Sequence, residues 1–431
     1  MKVAADQSAR KDFEGSDLIV AEEQTVSYGN PTLRFTHRTA RVTVVLTDYT
    51  EERMFVRLTG LSTENGNPAQ ITPYNKGGDT YTALVAPQSV ATGTAFITCK
   101  FTNGQVFVYK MKNDTDWQAG KEYTYTVSLA AAKDPGYTVS EDGKTYTVTS
   151  ADGLLAWNEA VQKDMTLNCT LADNIDLTGK DWTPIGTSFG NSYTGTFDGN
   201  GKTITGLTVT GSDRYTGLFG FIKGTVKNVV LTEINITSGT FVGGVAGWSF
   251  GGNIENCSVS GSVSGSDVGG VVGYQQGGSI TGCSSSATVK GTQRAGGVAG
   301  TTNSGATLTA CYATGDVTVE NDGTSNAWAG GVVGSNAYST VIACYAAGNV
   351  SGTGSGTIHV GGVTGENFDG TLTACYWSGL PDNDNGGATK VDGTTVTWQT
   401  AVAAMNAALS GKGWQYELKD GNSLPTLKKE Q

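Results

Sequence analysis

Residues 243–283 read GGVAGWSFGGNIENCSVSGSVSGSDVGGVVGYQQGGSITGC, and one unit is written twice within them: a Gly-Gly-Val step, then an apolar-x-x-Cys step. The first half returns at Gly243-Gly244-Val245, Gly269-Gly270-Val271, Gly296-Gly297-Val298, Gly330-Gly331-Val332 and Gly361-Gly362-Val363, after a degenerate copy at Thr216-Gly217-Leu218. Successive copies are 26, 27, 34 and 31 residues apart. A period of roughly 20 to 50 residues is the signature of a solenoid.

The second half reads Ile254-x-x-Cys257, Ile280-x-x-Cys283, Leu308-x-x-Cys311, Val341-x-x-Cys344 and Leu372-x-x-Cys375, with Val226-x-x-Val229 as its first copy. Val263, Val289, Val317 and Val350 follow six residues after the cysteine in four copies. Evenly spaced apolar positions in short Val-, Thr- and Ser-rich segments, punctuated by Gly, describe strands. One repeat is then one coil, and coils that cannot bury an apolar face alone bury it by stacking. The expected architecture is a parallel β-helix, with Val245 under Val271 under Val298. Paired glycines suit its corners, either because φ is positive there or because backbones pack too closely for a Cβ.

Cys257, Cys283, Cys311, Cys344 and Cys375 fall one to a coil, in register, and are expected to form an inward ladder of small apolar side chains. The absence of a CxxC pair or Cys-His cluster, and the odd total of seven cysteines, argue against zinc and against a disulfide framework. No cofactor is expected.

At 431 residues the chain has room for two domains. Its net charge is −11, and nearly all of the acidic surplus falls after residue 135. An acidic solenoid with only two arginines, Arg214 and Arg294, lacks the basic stripe that phosphate binding requires, so neither nucleic acid nor an anionic membrane surface is an expected partner. No run of apolar residues is long enough to span a bilayer. The first residues, MKVAADQSARKDFEGSD, have no apolar signal-peptide region.

Between residues 32 and 130 short runs alternate with period two: Val42, Val44 and Leu46; Phe107, Tyr109 and Met111; Tyr123, Tyr125, Val127 and Leu129. Turn clusters such as Asn65-Gly66-Asn67-Pro68 separate them, which predicts an antiparallel β-sandwich of about seven strands. Ser16-Asp17-Leu18-Ile19-Val20-Ala21, Leu33-Arg34-Phe35-Thr36-His37, Ala40-Arg41-Val42-Thr43-Val44, Ala86-Pro87-Gln88 and Gly120-Lys121-Glu122-Tyr123-Thr124-Tyr125 resemble the second sandwich domain of bacterial fimbrillins, the subunits of type V pili. This resemblance implies an outer-membrane lipoprotein precursor with a first sandwich domain upstream, and other pilus subunits as partners through strand addition. Thr196-Phe197-Asp198-Gly199-Asn200-Gly201 with Gly217-Leu218-Phe219-Gly220 and the later Gly-Gly-Val-x-Gly copies resemble the GLUG repeats of bacterial surface proteins.

The expected organisation is all-β: residues 1–24 as the tail of an incomplete upstream domain, 25–131 a fimbrillin-like sandwich, a short linker at 131–136, and 136–431 a GLUG-repeat parallel β-helix with short capping helices. Helices are predicted after Ser150, through Leu154, Leu155, Trp157 and Val161, and from Trp398 to Leu409. Both helices, with a closing strand at 414–418 and 424–427, are expected to cover the solenoid's open ends.

Parallel β-helices include polysaccharide lyases and hydrolases, whose sites need clustered carboxylates or a cationic base. Asp267, Asp316, Glu320, Asp322, Glu366 and Asp369 fall at different phases of the repeat, and a surface role is expected for them. Asp382-Asn383-Asp384-Asn385-Gly386 places Gly at the fifth position rather than the sixth of a calcium loop, and reads as a turn. His37 reads as a satisfied core or edge histidine. Ser258, Ser284, Tyr312, Tyr345 and Tyr376 directly follow the ladder cysteines and should therefore point outward. Tyr312, Tyr345 and Tyr376 then form an aromatic stripe, either a stabilising ladder or a platform for sugar rings. The function expected is non-enzymatic adhesion at a cell surface or fimbrium, toward a glycan or a host or bacterial surface protein. A polysaccharide-processing enzyme and a pure spacer are the alternatives.

Overall fold

The computed structural model describes residues 2–24, 28–29, 32–48, 54–101, 106–129, 136–237, 239–323, 325–420 and 423–430. The chain divides into two compact units, Met1–Asp134 and Pro135–Gln431. Apart from Gly136, the expected linker lies outside the described residues.

In the first unit one sheet runs in the order Glu122–Ser128, Ala40–Thr47, Thr80–Val85, Tyr74–Gly77, and a second in the order Met54–Leu58, Ala95–Phe101, Val106–Lys110. Val42, Val44 and Leu46 from the first and Val56, Leu58, Ile97 and Cys99 from the second share one buried core. The expected antiparallel pattern is broken where Glu122–Ser128 runs parallel to Ala40–Thr47, with Tyr123 opposite Val42. A boundary at residue 24 does not match the packing. Val3 lies in this core, and Gln7 bonds both backbone groups of Leu84: its Nε2 donates to the carbonyl and its Oε1 accepts from the amide, each at 2.9 Å. Residues 1–24, including helix α1 (Arg10–Glu14), thus contribute to the first unit.

The second unit is a solenoid with three walls. The first is a ten-stranded sheet from Tyr137–Val139 to Thr371–Thr373, parallel after its opening antiparallel pair. Its central residues stack in register as Phe197, Val226, Ile254, Ile280, Leu308, Val341 and Leu372. The second wall follows each cysteine and runs to the glycine pair. The third, six strands from Phe219–Ile222 to Thr364–Phe368, follows the pair. The Val245 amide donates to the Val271 carbonyl and that of Val271 to Val298, both at 2.9 Å.

The glycine pairs are required by close approach and not by positive φ, since none of them has it. A Cβ on Gly269, Gly296, Gly330 or Gly361 would lie 2.0, 1.9, 2.0 or 1.9 Å from the carbonyl oxygen three residues on. The positive-φ corner lies elsewhere, at the residue before each inward side chain: Asn228, Asn256, Gly282, Ala310, Ala343 and Ala374. An L-residue there costs about 1–2 kcal/mol of backbone strain, which the stacked coils must hold in place.

One end is covered by the helix expected there, and the other by a different segment. Helix α2 (Ala151–Val161), capped by Ser150 Oγ accepting from the Gly153 amide at 3.1 Å, seats Trp157 on Phe197, Tyr193 and Phe219 at the first coils. At the other end the closing element is the loop that resembled a calcium site. Asp384 accepts the backbone N–H groups of Val363, Thr364, Gly386 and Ala388 at 2.7–3.1 Å, and Asn385 Nδ2 donates to the Gly365 carbonyl at 2.7 Å. The carboxylate caps donors that a further coil would otherwise have met.

Helix α3 (Trp398–Ala408) and the hairpin Trp414–Glu417 with Thr426–Lys429 do not close an end. They fold back along the solenoid's side, where Trp398, Ala401, Met405, Leu409, Trp414 and Tyr416 form a separate core with Ala310, Ala343 and Tyr345. Its face is apolar enough to need cover, and the column of alanines at the positive-φ corner is the surface that accepts it.

Candidate functional site

The five ladder cysteines are all free thiols and all buried. The backbone amides of Cys257 and Cys311 donate to Cys283 Sγ and Cys344 Sγ respectively, each at 3.4 Å. Burial pushes the Cys283 and Cys344 thiols well above their ordinary range, so they are poor nucleophiles and poor metal ligands as they stand. Among the described residues no group of three or more His, Cys, Asp and Glu side chains could hold a metal ion.

The residues after the cysteines do form one column on the outer surface of the second wall: Ser258, Ser284, Tyr312, Tyr345 and Tyr376 are partners in register. Tyr312 and Tyr345 stack at 4.9 Å with their planes 2° apart. An open three-tyrosine platform is nevertheless corrected by the structure. Tyr345 is 1% exposed, covered by Trp398 at 5.1 Å and Tyr416 at 5.7 Å, and its hydroxyl donates to the Pro425 carbonyl at 2.6 Å. Tyr376 and Tyr312 pack partly buried against the same cluster. The cause is the lateral C-terminal segment, which takes the stripe as its seat.

The column opens where that segment stops. A cavity of about 160 Å³ lies at its edge, lined by Asn228, Asn256, Ser258, Ser284 and Tyr312 from the coils and by Trp414 and Leu427 from the hairpin. Asn256 Nδ2 donates to Asn228 Oδ1 at 2.8 Å, and Asn228 Nδ2 donates to Asp198 Oδ1 at 2.9 Å.

A second surface was not anticipated from sequence. Two residues before each glycine pair stand Phe241, Asp267, Arg294, Trp328 and His359, which pair in register along the axis. Five residues after the first glycine stand Trp248, Tyr274, Thr301, Ser335 and Glu366, also in register. Asp267 is 3% exposed and is held by Arg294 Nη1 at 3.0 Å; burial raises its carboxyl and the arginine opposes that rise. Arg294 in turn lies over Trp328, which stacks on His359 at 5.9 Å. The sequence signal was available as variable aromatic and charged residues at two fixed offsets from an invariant glycine step. Trp248 stacks on Tyr274 at 4.2 Å and on Phe221 at 5.9 Å. Rings stacked face to face along the axis turn their edges to solvent, which favours a stabilising ladder over a sugar platform.

The acids are not brought together. Asp267 pairs with Arg294, Glu366 accepts from Ser335 Oγ at 2.7 Å, and Asp316 accepts the Asn349 amide at 2.9 Å. In strand register Asp267, Glu320 and Glu366 stand beside residues that are not acidic. In the first unit His37 Nδ1 lies 2.9 Å from Asp17 Oδ1, and that carboxylate also accepts from Thr39.

Residues 1–150 match the family model described as Fimbrillin-like, and residues 238–264 and 264–290 match the GLUG motif. The chain is 36% identical over 108 residues to Halomucin of Haloquadratum walsbyi, a match covering 22% of this chain and 1% of that protein. Among solved structures it is similar to a Bacteroides ovatus protein provisionally named an immunoglobulin A1 protease, at 21% identity and a TM-score of 0.53, covering 68% of this chain and 94% of that one. That likeness is one of fold. A fimbrial protein from Bacteroides ovatus ATCC 8483 matches at 17% identity and a TM-score of 0.20, over 33% of each chain.

Proposed function

We propose that this chain, fimbrillin-like over residues 1–150 and GLUG-repeated beyond, is a non-enzymatic adhesion protein displayed at a bacterial cell surface or as an accessory or tip component of a fimbrium. The observation that carries the reading is the joining, in one polypeptide, of a fimbrillin-like region to a solenoid whose two ends are closed and whose acids are dispersed into separate hydrogen bonds. The first unit supplies attachment, through other pilus subunits by strand addition or through an outer-membrane lipoprotein anchor. The solenoid supplies a rigid body toward a glycan or a surface protein of a host or another bacterium. Its stiffness follows from continuous backbone ladders in three walls.

The protease name of the fold neighbour supports a second, enzymatic reading to be tested beside the first. Intact, unpermeabilised cells making the full chain should be labelled by an antibody against the solenoid. The purified chain should bind a glycan or surface glycoprotein, immunoglobulin A included, and leave it uncut. Labelling only after permeabilisation would refute surface display, and turnover of any of these ligands would refute the non-enzymatic reading.

A further inference from the structure

We infer that the cavity at the open end of the tyrosine column is a subsite for one neutral pyranose ring. Tyr312 is the last ring of this column toward the first coils. One face lies on Tyr345; on the other side its partner in register is Ser284, whose side chain is too small to cover it. That uncovered face fronts the cavity, and an aromatic face with a polar rim is what the apolar side of a sugar ring stacks on.

The rim carries the hydrogen-bonding groups such a ligand needs. The hydroxyls of Ser258 and Ser284 line the cavity and make no hydrogen bond to the described residues. Asn256 has committed its amide nitrogen to Asn228, which leaves its carbonyl oxygen to accept from a sugar hydroxyl. At about 160 Å³ the space is well below the roughly 300–1,000 Å³ of pockets for drug-sized ligands, and one ring fits where an oligosaccharide would not. The charges nearby are already paired, Asp198 with Lys227 at 3.3 Å and Glu255 with Lys429 at 3.8 Å. A neutral sugar is therefore favoured over a sialylated or sulfated one. Trp414 and Leu427 line the same cavity from the hairpin.

This deepens the adhesion reading and rests on it only for the biological use of the subsite. The test is saturation-transfer NMR on the full chain with methyl β-D-galactopyranoside, methyl β-D-glucopyranoside, methyl α-D-mannopyranoside and a methyl sialoside at millimolar concentration. Ser284→Tyr is the informative variant, because a tyrosine there continues the existing stack and fills the cavity without removing packing. At least one neutral glycoside should bind wild type through its ring C–H protons. Ser284→Tyr should weaken that binding by about tenfold or more, with a melting temperature no lower than wild type. No transfer from any neutral glycoside, equal binding by the variant, or preference for the sialoside would overturn the inference. Adhesion of chain-coated beads in the absence of monosaccharide binding would remove this subsite and leave the adhesion reading standing. Monosaccharide binding without adhesion would do the reverse.

Discussion

The indole of Trp414 lies directly on Gly282, so close that a Cβ on that glycine would sit 2.2 Å from Trp414 Cζ2. Gly282 also has a φ of +66°, and its place in the column marks a transition. On the coils before it the same corner is held by Asn228 and Asn256; on the coils after it, by Ala310, Ala343 and Ala374. Asparagine tolerates the left-handed conformation and faces water, whereas alanine there is accounted for by the apolar cover of the C-terminal segment.

Gly282→Ala should therefore loosen the C-terminal segment more than the coils. The expected cost is about 2 kcal/mol or more, from backbone strain and the clash with Trp414. Hydrogen exchange should rise in 398–429 while the ladder amides of 253–281 stay protected. Uniform loss of protection along the solenoid would show that the segment and the coils are one cooperative body.

Much of the architecture was legible because the repeat states it twice. The Gly-Gly-Val and apolar-x-x-Cys steps fix the phase of every coil, so Ile254, Ile280 and Leu308 could be placed in register, and the cysteines turned inward, from spacing alone. The side cover was not legible in the same way. A helical pattern at Trp398–Leu409 shows that one face is apolar, but not which surface receives it, and an open solenoid end is as apolar a target as its flank. The alanines at 310, 343 and 374 were the missed signal: small apolar residues standing where earlier coils carry asparagine. Reading Asp382–Gly386 as a turn was silent about use, because the capping by Asp384 also depends on the amides of Val363 and Thr364, about twenty residues away.

Asp384→Ala should expose the terminal coil. Several backbone donors lose one acceptor, which costs about 2–4 kcal/mol and leaves an unprotected parallel edge. Thermal denaturation should shift downward and the chain should associate at high concentration, as read by light scattering. An unchanged melting temperature with a monodisperse variant would show that water or another group replaces the carboxylate.

The entry to helix α3 should be acid-sensitive. Asp392 accepts the backbone N–H groups of Val396, Thr394 and Thr395, and these bonds hold its carboxyl at about 2, against an ordinary 3.8. A pKa depressed by folding gives stability that is present above the ordinary value and is lost as pH falls toward 2. Local protection at 392–400 should decline across that window in wild type and be flat in Asp392→Asn. A decline of equal size in the variant would assign the effect to other carboxyls.

The ladder thiols should be silent in the native state. A thiol reagent at neutral pH should leave Cys257, Cys283, Cys311, Cys344 and Cys375 unmodified until denaturant is added, when all seven cysteines of the chain react. Reaction of any ladder position at native-state rates comparable with a free thiol would mean that the coils open there.

The central claim is that the chain holds a surface ligand and does not transform it. Its most direct test is retention of beads coated with the full chain on a glycoprotein-coated surface under flow, followed by analysis of that surface for cleavage products. The account predicts retention above that of beads coated with an unrelated protein, competition by free full chain, and an uncut surface. Retention no greater than the control, or release accompanied by cleaved glycan or polypeptide, would contradict it.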